Sequence, residues 1–331
     1  MLKIDLSYNP YVAPAWLPGG NVQTIYPFFF HSSIILTYRR ERLELDDGDF
    51  IDVDWLDHSN NTKPLVIMFH GLEGGSSSHY ARGMMRLLQE LGWRGAVVHF
   101  RGCSGIPNRL PRAYHAGDSE EIDRIVHKIR GRNHLFSSNK KLYVIGISLG
   151  GNALLKWLGE QGSKACDVID GAVAISVPLD LVAAGQALDS GFNRLYTQHF
   201  LSTLKKKIIK KIEQFPGLLD ATAIEKCSTL YQFDNLVTAP LHGFSNTEEY
   251  WILSSCKPWL KYIQVPTLVI NARNDPFMPS SVLPKQTDVS CTVLLEFPTQ
   301  GGHVGFLSSP FPGQFIWLPK RAVRFFNKEC N

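Results

Sequence analysis

The sequence predicts an α/β fold: a mostly parallel central sheet with helices on both faces, interrupted after its sixth strand by a helical insertion. Three observations predict it. From residue 65 to 176, short β-branched apolar runs alternate with amphipathic stretches of helical length, the rhythm that yields parallel strands joined by crossover helices. Residues 180–262 then carry helical patterns and no strand, a span too long for a structureless loop. Two further strand signals and a last helix resume the pattern. The chain has 331 residues, of which 44% are hydrophobic and 19% charged. That is enough for one large domain with an insertion and too apolar for extended disorder.

Residues 1–40 read as an N-terminal extension packed on the core. Its apolar run from Tyr26 to Leu36 is too short and too interrupted to span a bilayer. It reads as a packed segment, with the lining of a lipid-binding mouth as the alternative. Residues 41–179 form the first part of the core. Strands at 41–45 and 51–55 flank the turn Asp46-Asp-Gly-Asp49. Strands at 65–69, 95–99, 141–146 and 171–176 alternate with helices at 79–91, 118–130 and 149–159, and Asp118 reads as an N-cap. Residues 180–262 are a helical cap. Residues 263–331 complete the core with strands at 267–271 and 291–297 and a helix at 313–327. Within the cap, Leu201, Leu204, Ile208, Ile212 and Phe215 share one helical face, and Lys205, Lys206, Lys207, Lys210 and Lys211 crowd the others. This is a packed lid helix with solvated lysines, or else a basic amphipathic helix for peripheral contact with an anionic membrane; the packed reading is preferred.

Gly146-Ile-Ser148-Leu-Gly150 stands between a strand and a helix. G-x-S-x-G in that context is a nucleophile elbow: glycines two residues either side allow a sharp turn that leaves Ser148 exposed above the sheet. A serine hydroxyl needs a base to take its proton. In this chain order the carboxylate and the histidine come later. Asp275 lies on the loop leaving strand 267–271, with Asp288 as the second candidate. His303 lies in Gly301-Gly302-His303-Val304-Gly305, a glycine-rich loop expected to be flexible. The expected roles are Ser148 as nucleophile, His303 as general base and then acid, and Asp275 as the carboxylate that orients the imidazole. The oxyanion needs two backbone donors. One is Leu149 N–H, immediately after the nucleophile. The other is Leu72 N–H, in the loop His70-Gly71-Leu72-Glu73-Gly74-Gly75, where Gly71 allows close approach. His70 reads as a structural loop residue, as do His115 and His242. Glu73 either holds the loop or faces the substrate. Cys103 is a remote alternative nucleophile with no evident base.

These segments resemble the α/β-hydrolase superfamily, and more narrowly its YheT-like branch, grouped with the mammalian abhydrolase proteins numbered one to three. The resemblance runs through most of the chain. Its most specific parts are Trp16-Leu-Pro-Gly-Gly-Asn-Val-Gln-Thr24 and His70-Gly-Leu-Glu-Gly74. Phe100-Arg-Gly-Cys-Ser-Gly105, Tyr114-His-Ala-Gly117 and Leu241-His-Gly-Phe244 with Tyr250 also fit. One departure is Asn274, where the family commonly has a second aspartate beside the catalytic one; Asp275 is the position that matches. The resemblance implies the α/β-hydrolase fold and cleavage of carboxylic esters, short-chain or acyl-lipid, through an acyl-enzyme. An acyltransferase with the same triad and a catalytically silent lipid-binding protein are the rival readings.

Other function classes are disfavoured. A net charge of +4 is too weak and too dispersed for nucleic acid. The six cysteines form neither C-x-x-C pairs nor Cys/His clusters, so no metal or other cofactor is expected, and reduced thiols suit the cytoplasm. The first ten residues lack the apolar core of a signal peptide. Oligomeric state is not legible.

Overall fold

The computed structural model describes residues 9–30, 36–58, 63–132 and 140–330. An eight-stranded sheet runs through it in the order β1-β2-β4-β3-β5-β6-β7-β8. The strands are β1 (Arg39–Glu44), β2 (Phe50–Leu56), β3 (Leu65–Phe69), β4 (Arg94–His99), β5 (Leu142–Ile147), β6 (Gly171–Ile175), β7 (Thr267–Ile270) and β8 (Val293–Glu296). β2 runs antiparallel to both β1 and β4, and every other pairing is parallel. The helices are α1 (Gly20–Phe30), α2 (His79–Leu91), α3 (Ser119–Arg130), α4 (Leu149–Gln161), α5 (Leu181–Leu188), α6 (Arg194–Gln214), α7 (Ala221–Lys226), α8 (Leu230–Phe233), α9 (Ala239–Leu241), α10 (Thr247–Ser254) and α11 (Trp317–Glu329).

The central strands read as unbroken apolar runs because both faces of the sheet are covered. The two-residue alternation of a strand survives in where each side chain goes. Leu65, Ile67 and Phe69 of β3, with Leu142 and Val144 of β5, pack on α3 and α4 through Ile122, Ile125, Leu154 and Leu158. Val66 and Met68, with Tyr143, Ile145 and Ile147, face α2 and α11 through Met84, Leu88, Ala322 and Phe326. Asp118 stands at the N-cap position of α3 without making a side-chain cap bond, which corrects the expected role. Its carboxylate accepts from the Arg112 guanidinium instead, and a full positive charge outcompetes a backbone N–H for it.

Between β6 and β7 the described residues form helices α5 to α10 with short 3-10 and π turns and no strand. They surround a small core of their own, in which Leu201 and Ile208 of α6 meet Ile224, Leu230 and Phe233, with Leu204 and Ile212 partly buried beside them. The α6 lysines do not form one solvated face. Lys205 Nζ donates to the carbonyls of Glu225 and Cys227, and Lys207 Nζ to Glu73 Oε1. Lys211 is buried, with Nζ at 2.9, 2.8 and 2.6 Å from Asn108 O, Asn108 Oδ1 and Leu110 O. Lys206 and Lys210 are exposed. No helix among the described residues is long and apolar enough to cross a membrane. Residues 31–35 of the apolar N-terminal run lie outside the described residues; ahead of them Phe28 and Phe29 are exposed.

Candidate active site

The parallel strands all point their C-terminal ends to one edge of the sheet, where ligands bind in folds of this kind. Ser148 leaves β5, near the centre of that edge, at φ 50° and ψ −118°. That conformation is sparsely populated for a residue with a side chain and survives only where the surroundings hold it. Here Ser148 N–H donates to Ile175 O at 2.8 Å, and the chain turns directly into α4. A Cβ at Gly150 would lie 2.5 Å from His70 O, and one at Gly146 would lie 2.6 Å from Gly151 Cα. Both flanks of the turn therefore need glycine.

Asp275 follows β7 and His303 follows β8. His303 Nδ1 lies 2.9 Å from Asp275 Oδ2, and His303 Nε2 lies 2.9 Å from Ser148 Oγ. An ionised carboxylate only accepts, so Nδ1 carries the proton and Nε2 is left to accept from the serine hydroxyl. The other carboxylate oxygen, Asp275 Oδ1, accepts from Phe277 N–H at 2.8 Å. The Asp275 side chain is 1% exposed and that of His303 12%. The Phe277 ring covers the imidazole with centroids 4.2 Å apart. Asp288 is not brought to this site; it lies on an exposed turn and accepts from Lys285 N–H.

The His303 loop is held, not loose, which corrects the expectation drawn from its glycines. Four consecutive N–H groups donate to side chains. Gly301 goes to Gln23 Oε1, Gly302 to Asn274 Oδ1, His303 to Thr24 Oγ1 and Val304 to Ser176 Oγ, all at 2.8 to 3.0 Å. The glycines serve close approach: a Cβ at Gly305 would lie 2.1 Å from Gln23 O. Gln23 is fully buried on α1 and also accepts from Asn274 Nδ2 at 2.9 Å. Position 274 therefore both donates and accepts, a pattern that an amide fulfils and a carboxylate does not.

A backbone N–H that is to receive an oxyanion must be free of other acceptors. The loop after β3 is a turn closed by Gly74 N–H to Gly71 O at 3.0 Å. Of the five N–H groups from Gly71 to Gly75, Gly71 donates to Tyr80 OH, Glu73 to Tyr114 OH, Gly74 to Gly71 O and Gly75 to Ser78 Oγ. Leu72 N–H alone has no acceptor among the described residues. Leu149, the first residue of α4, precedes the intrahelical ladder, and its N–H is also without an acceptor among them. A Cβ at Gly71 would come 3.1 Å from Ser148 Cβ, so the turn lies against the serine.

The neighbouring groups divide cleanly. His70 is fully buried; Nε2 accepts from Phe100 N–H at 3.1 Å, and Nδ1 faces Gly71 O at 2.7 Å. Burial, with His99 and Lys207 nearby, pushes its pKa down to about 3, so it is a neutral pin for the loop. Burial raises the Cys103 thiol to about 11, the opposite of what an activated thiolate needs. His242 bridges the carbonyls of Thr238 and Ala113, tying the helical segment to the loop before α3. Glu73 does not project as a free acid: its carboxylate accepts from Tyr114 OH and Lys207 Nζ, both at 2.8 Å. No group of three or more His, Cys, Asp or Glu side chains among the described residues is placed to hold a metal ion.

Sequence reasoning did not anticipate the parts played by Gln23, Thr24, Ser176, Tyr114 and Lys207. For Gln23, Thr24 and Tyr114 a signal was present, since each lies in a segment that carries the family resemblance without a chemical reason.

A family model described as alpha/beta hydrolase fold matches residues 64–310. The Escherichia coli (strain K12) protein named "Putative esterase YheT" is 35% identical over 305 residues, covering 91% of this chain and 88% of its own. Phospholipase ABHD3 of Homo sapiens is 29% identical over 324 residues, covering 95% and 78%. Among solved structures, ferulic acid-bound Est1E from Butyrivibrio proteoclasticus aligns with a TM-score of 0.53 at 13% identity, covering 89% of this chain and 98% of that one; at this identity the likeness speaks for the fold alone.

Proposed function

We propose, from the premise that this chain belongs to the α/β-hydrolase fold family, that it cleaves carboxylic esters through a covalent acyl-enzyme. One observation carries the reading: two hydrogen bonds of 2.9 Å link Asp275 to His303 and His303 to Ser148, with the serine on a strained turn. Ser148 Oγ attacks the ester carbonyl while His303 Nε2 takes its proton. Asp275 keeps the proton on Nδ1 and stabilises the imidazolium. Leu72 and Leu149 N–H groups receive the oxyanion, which costs no reorganisation because neither has an acceptor among the described residues. His303 then protonates the leaving alcohol, and the same steps with water release the acid. The names of the relatives, an esterase and a phospholipase, support ester substrates of the short-chain or acyl-lipid kind.

Residues 180–262 act as a cap. Tyr196 and Phe200 on α6 pack at 4.7 and 6.1 Å on Phe277, the ring that covers His303. With Lys205, Lys207 and Lys211 bonded to protein groups, α6 is a packed lid helix and not a membrane-surface helix. Of the N-terminal extension, α1 serves as a buttress for the Asp275 and His303 loops through Gln23 and Thr24. Free cysteines suit a reducing compartment, and the cytoplasm is the proposed location.

The test is hydrolysis of p-nitrophenyl esters across a series of acyl lengths, with wild type beside Ser148→Ala. Turnover should fall by at least about 10⁴-fold in the variant, while its melting temperature stays near that of wild type. Equal turnover by a clean preparation of Ser148→Ala would overturn the mechanism.

A further inference from the structure

Glu73 sits at φ +56°, where an L-residue with a side chain is strained and where glycine would be free of strain. The residue there is nonetheless a long carboxylate, and its environment shows what the side chain does. Tyr114 OH closes a clasp on it: the phenol oxygen accepts from Glu73 N–H at 2.9 Å and donates to Glu73 Oε1 at 2.8 Å. The clasp is rigid, because Tyr114 stacks on Phe100 with centroids 5.3 Å apart and planes 2° from parallel. The same Oε1 accepts from Lys207 Nζ. Lys207 belongs to α6, 134 residues away in sequence, and the carboxylate it reaches is only 10% exposed. One helical turn further on, Lys211 is anchored to Asn108 and Leu110, so α6 is docked on the core at two points. The residue directly before Glu73 is Leu72, whose N–H has no acceptor among the described residues.

We propose that Glu73 and Lys207 are positioning residues for the oxyanion donor: docking of α6 on the core, through the Lys207–Glu73 ion pair, holds the turn in the geometry that aims Leu72 N–H at the reacting carbonyl oxygen. The inference rests on the ester-hydrolase reading and adds to it a coupling between cap and donor. If the pair is lost, Tyr114 still holds Glu73 N–H, but the carboxylate is released from α6 and the turn gains freedom beside Leu72. Removing one oxyanion donor outright costs about 10²–10³ in kcat, so misaiming one should cost about 10- to 100-fold. Because the donor acts on charge that develops in the transition state, the loss should fall on kcat and leave KM nearly unchanged.

The experiment compares wild type, Lys207→Met, Lys207→Arg, Glu73→Gln and Ser148→Ala on one p-nitrophenyl ester. It also measures inhibition by a trifluoromethyl ketone, whose serine hemiketal oxygen occupies the same donors. Lys207→Met and Glu73→Gln should lose about 10- to 100-fold in kcat with KM within about threefold. Ketone affinity should weaken in parallel, and Lys207→Arg should recover most of both. Should Lys207→Met fail to fold, Glu73→Gln carries the same expectation, since it keeps a partner for Tyr114 and removes only the charge. Full kcat in both charge-removing variants would overturn the coupling, and so would a kcat loss without weaker ketone binding. Turnover retained in Ser148→Ala would instead overturn the underlying reading.

Discussion

Replacing Asp275 by Asn tests the division of labour at the site with almost no change of volume. The carboxylate has two fixed partners: Oδ1 accepts from Phe277 N–H at 2.8 Å, and Oδ2 faces His303 Nδ1 at 2.9 Å. An amide offers one oxygen and one NH₂. The oxygen must stay on Phe277 N–H, because NH₂ against N–H is two donors with no acceptor, in a place where the side chain is 1% exposed and cannot turn to water. The NH₂ then faces Nδ1, which is forced to accept. The ring proton moves to Nε2, where it meets the Ser148 hydroxyl, and the base loses the lone pair it needs. A wrong tautomer of this kind costs about 10⁴ in kcat, which is about 5.4 kcal/mol at 1.36 kcal/mol per decade. The assay is kcat on a p-nitrophenyl ester with a thermal melt alongside, the melt being expected within a few degrees of wild type. A folded Asp275→Asn within tenfold of wild-type kcat would refute the reasoning.

Three further outcomes are expected. Gly150→Ala would push a methyl 2.5 Å from His70 O and 2.7 Å from Phe69 O, both backbone atoms, so the elbow cannot close; the variant should fail to give soluble folded protein by circular dichroism, and a wild-type melt would contradict this. His70 titrates near 6.5 when unfolded but is held near 3 by burial when folded, so the unfolded chain takes up the proton first as pH falls. Stability present above pH 6.5 is therefore lost between 6.5 and 3, and urea unfolding at pH 6, 5 and 4 should show wild type losing about 1.4 kcal/mol per unit more than His70→Gln; parallel slopes would remove the case for a neutral pin. Cys103→Ala should keep turnover within about threefold of wild type, because a thiol raised to about 11 by burial is no nucleophile at neutral pH; a loss beyond tenfold would return that thiol to consideration.

The parts of the fold that were legible are those in which local pattern and tertiary role agree. β3 and β5 announce themselves as β-branched runs because both their faces are buried, and the turn at Ser148 needs two glycines whose absence would be a backbone collision. Asp275 and His303 could be picked out because each had to leave a strand on the same edge as Ser148. What could not be read are pairings across long stretches of chain. Nothing local to Gln23 says that it will receive an N–H from Gly301, and three glycines within the five residues 301–305 read as freedom until the side chains that bind the loop's N–H groups are known. The lysines of α6 are a parallel case. Helical periodicity places them off the apolar stripe, and only the neighbouring loops, which supply Glu73 to Lys207 and three carbonyl-type oxygens to Lys211, turn two of them into anchors. Asp118 misled in the opposite sense: its position was right for a cap, and Arg112, six residues earlier, took the carboxylate.

The dependence of the His303 loop on α1 bears on when the protein becomes competent during synthesis. Gln23 and Thr24 leave the ribosome early, whereas their partners at Asn274, Gly301 and His303 lie 251 to 279 residues later. At 5–20 residues per second, roughly 13–56 seconds of translation separate the two halves of one hydrogen-bonded unit. Strands β3 to β6 and the elbow can form while the ribosome is still working, but a nascent chain that stops short of His303 would have the proposed nucleophile without its proposed base. A chain that loses its α1 segment has the base without the side chains that hold it. On the proposed roles, reactivity waits for the synthesis of the His303 loop, and a fragment released before it carries a folded sheet with a silent serine.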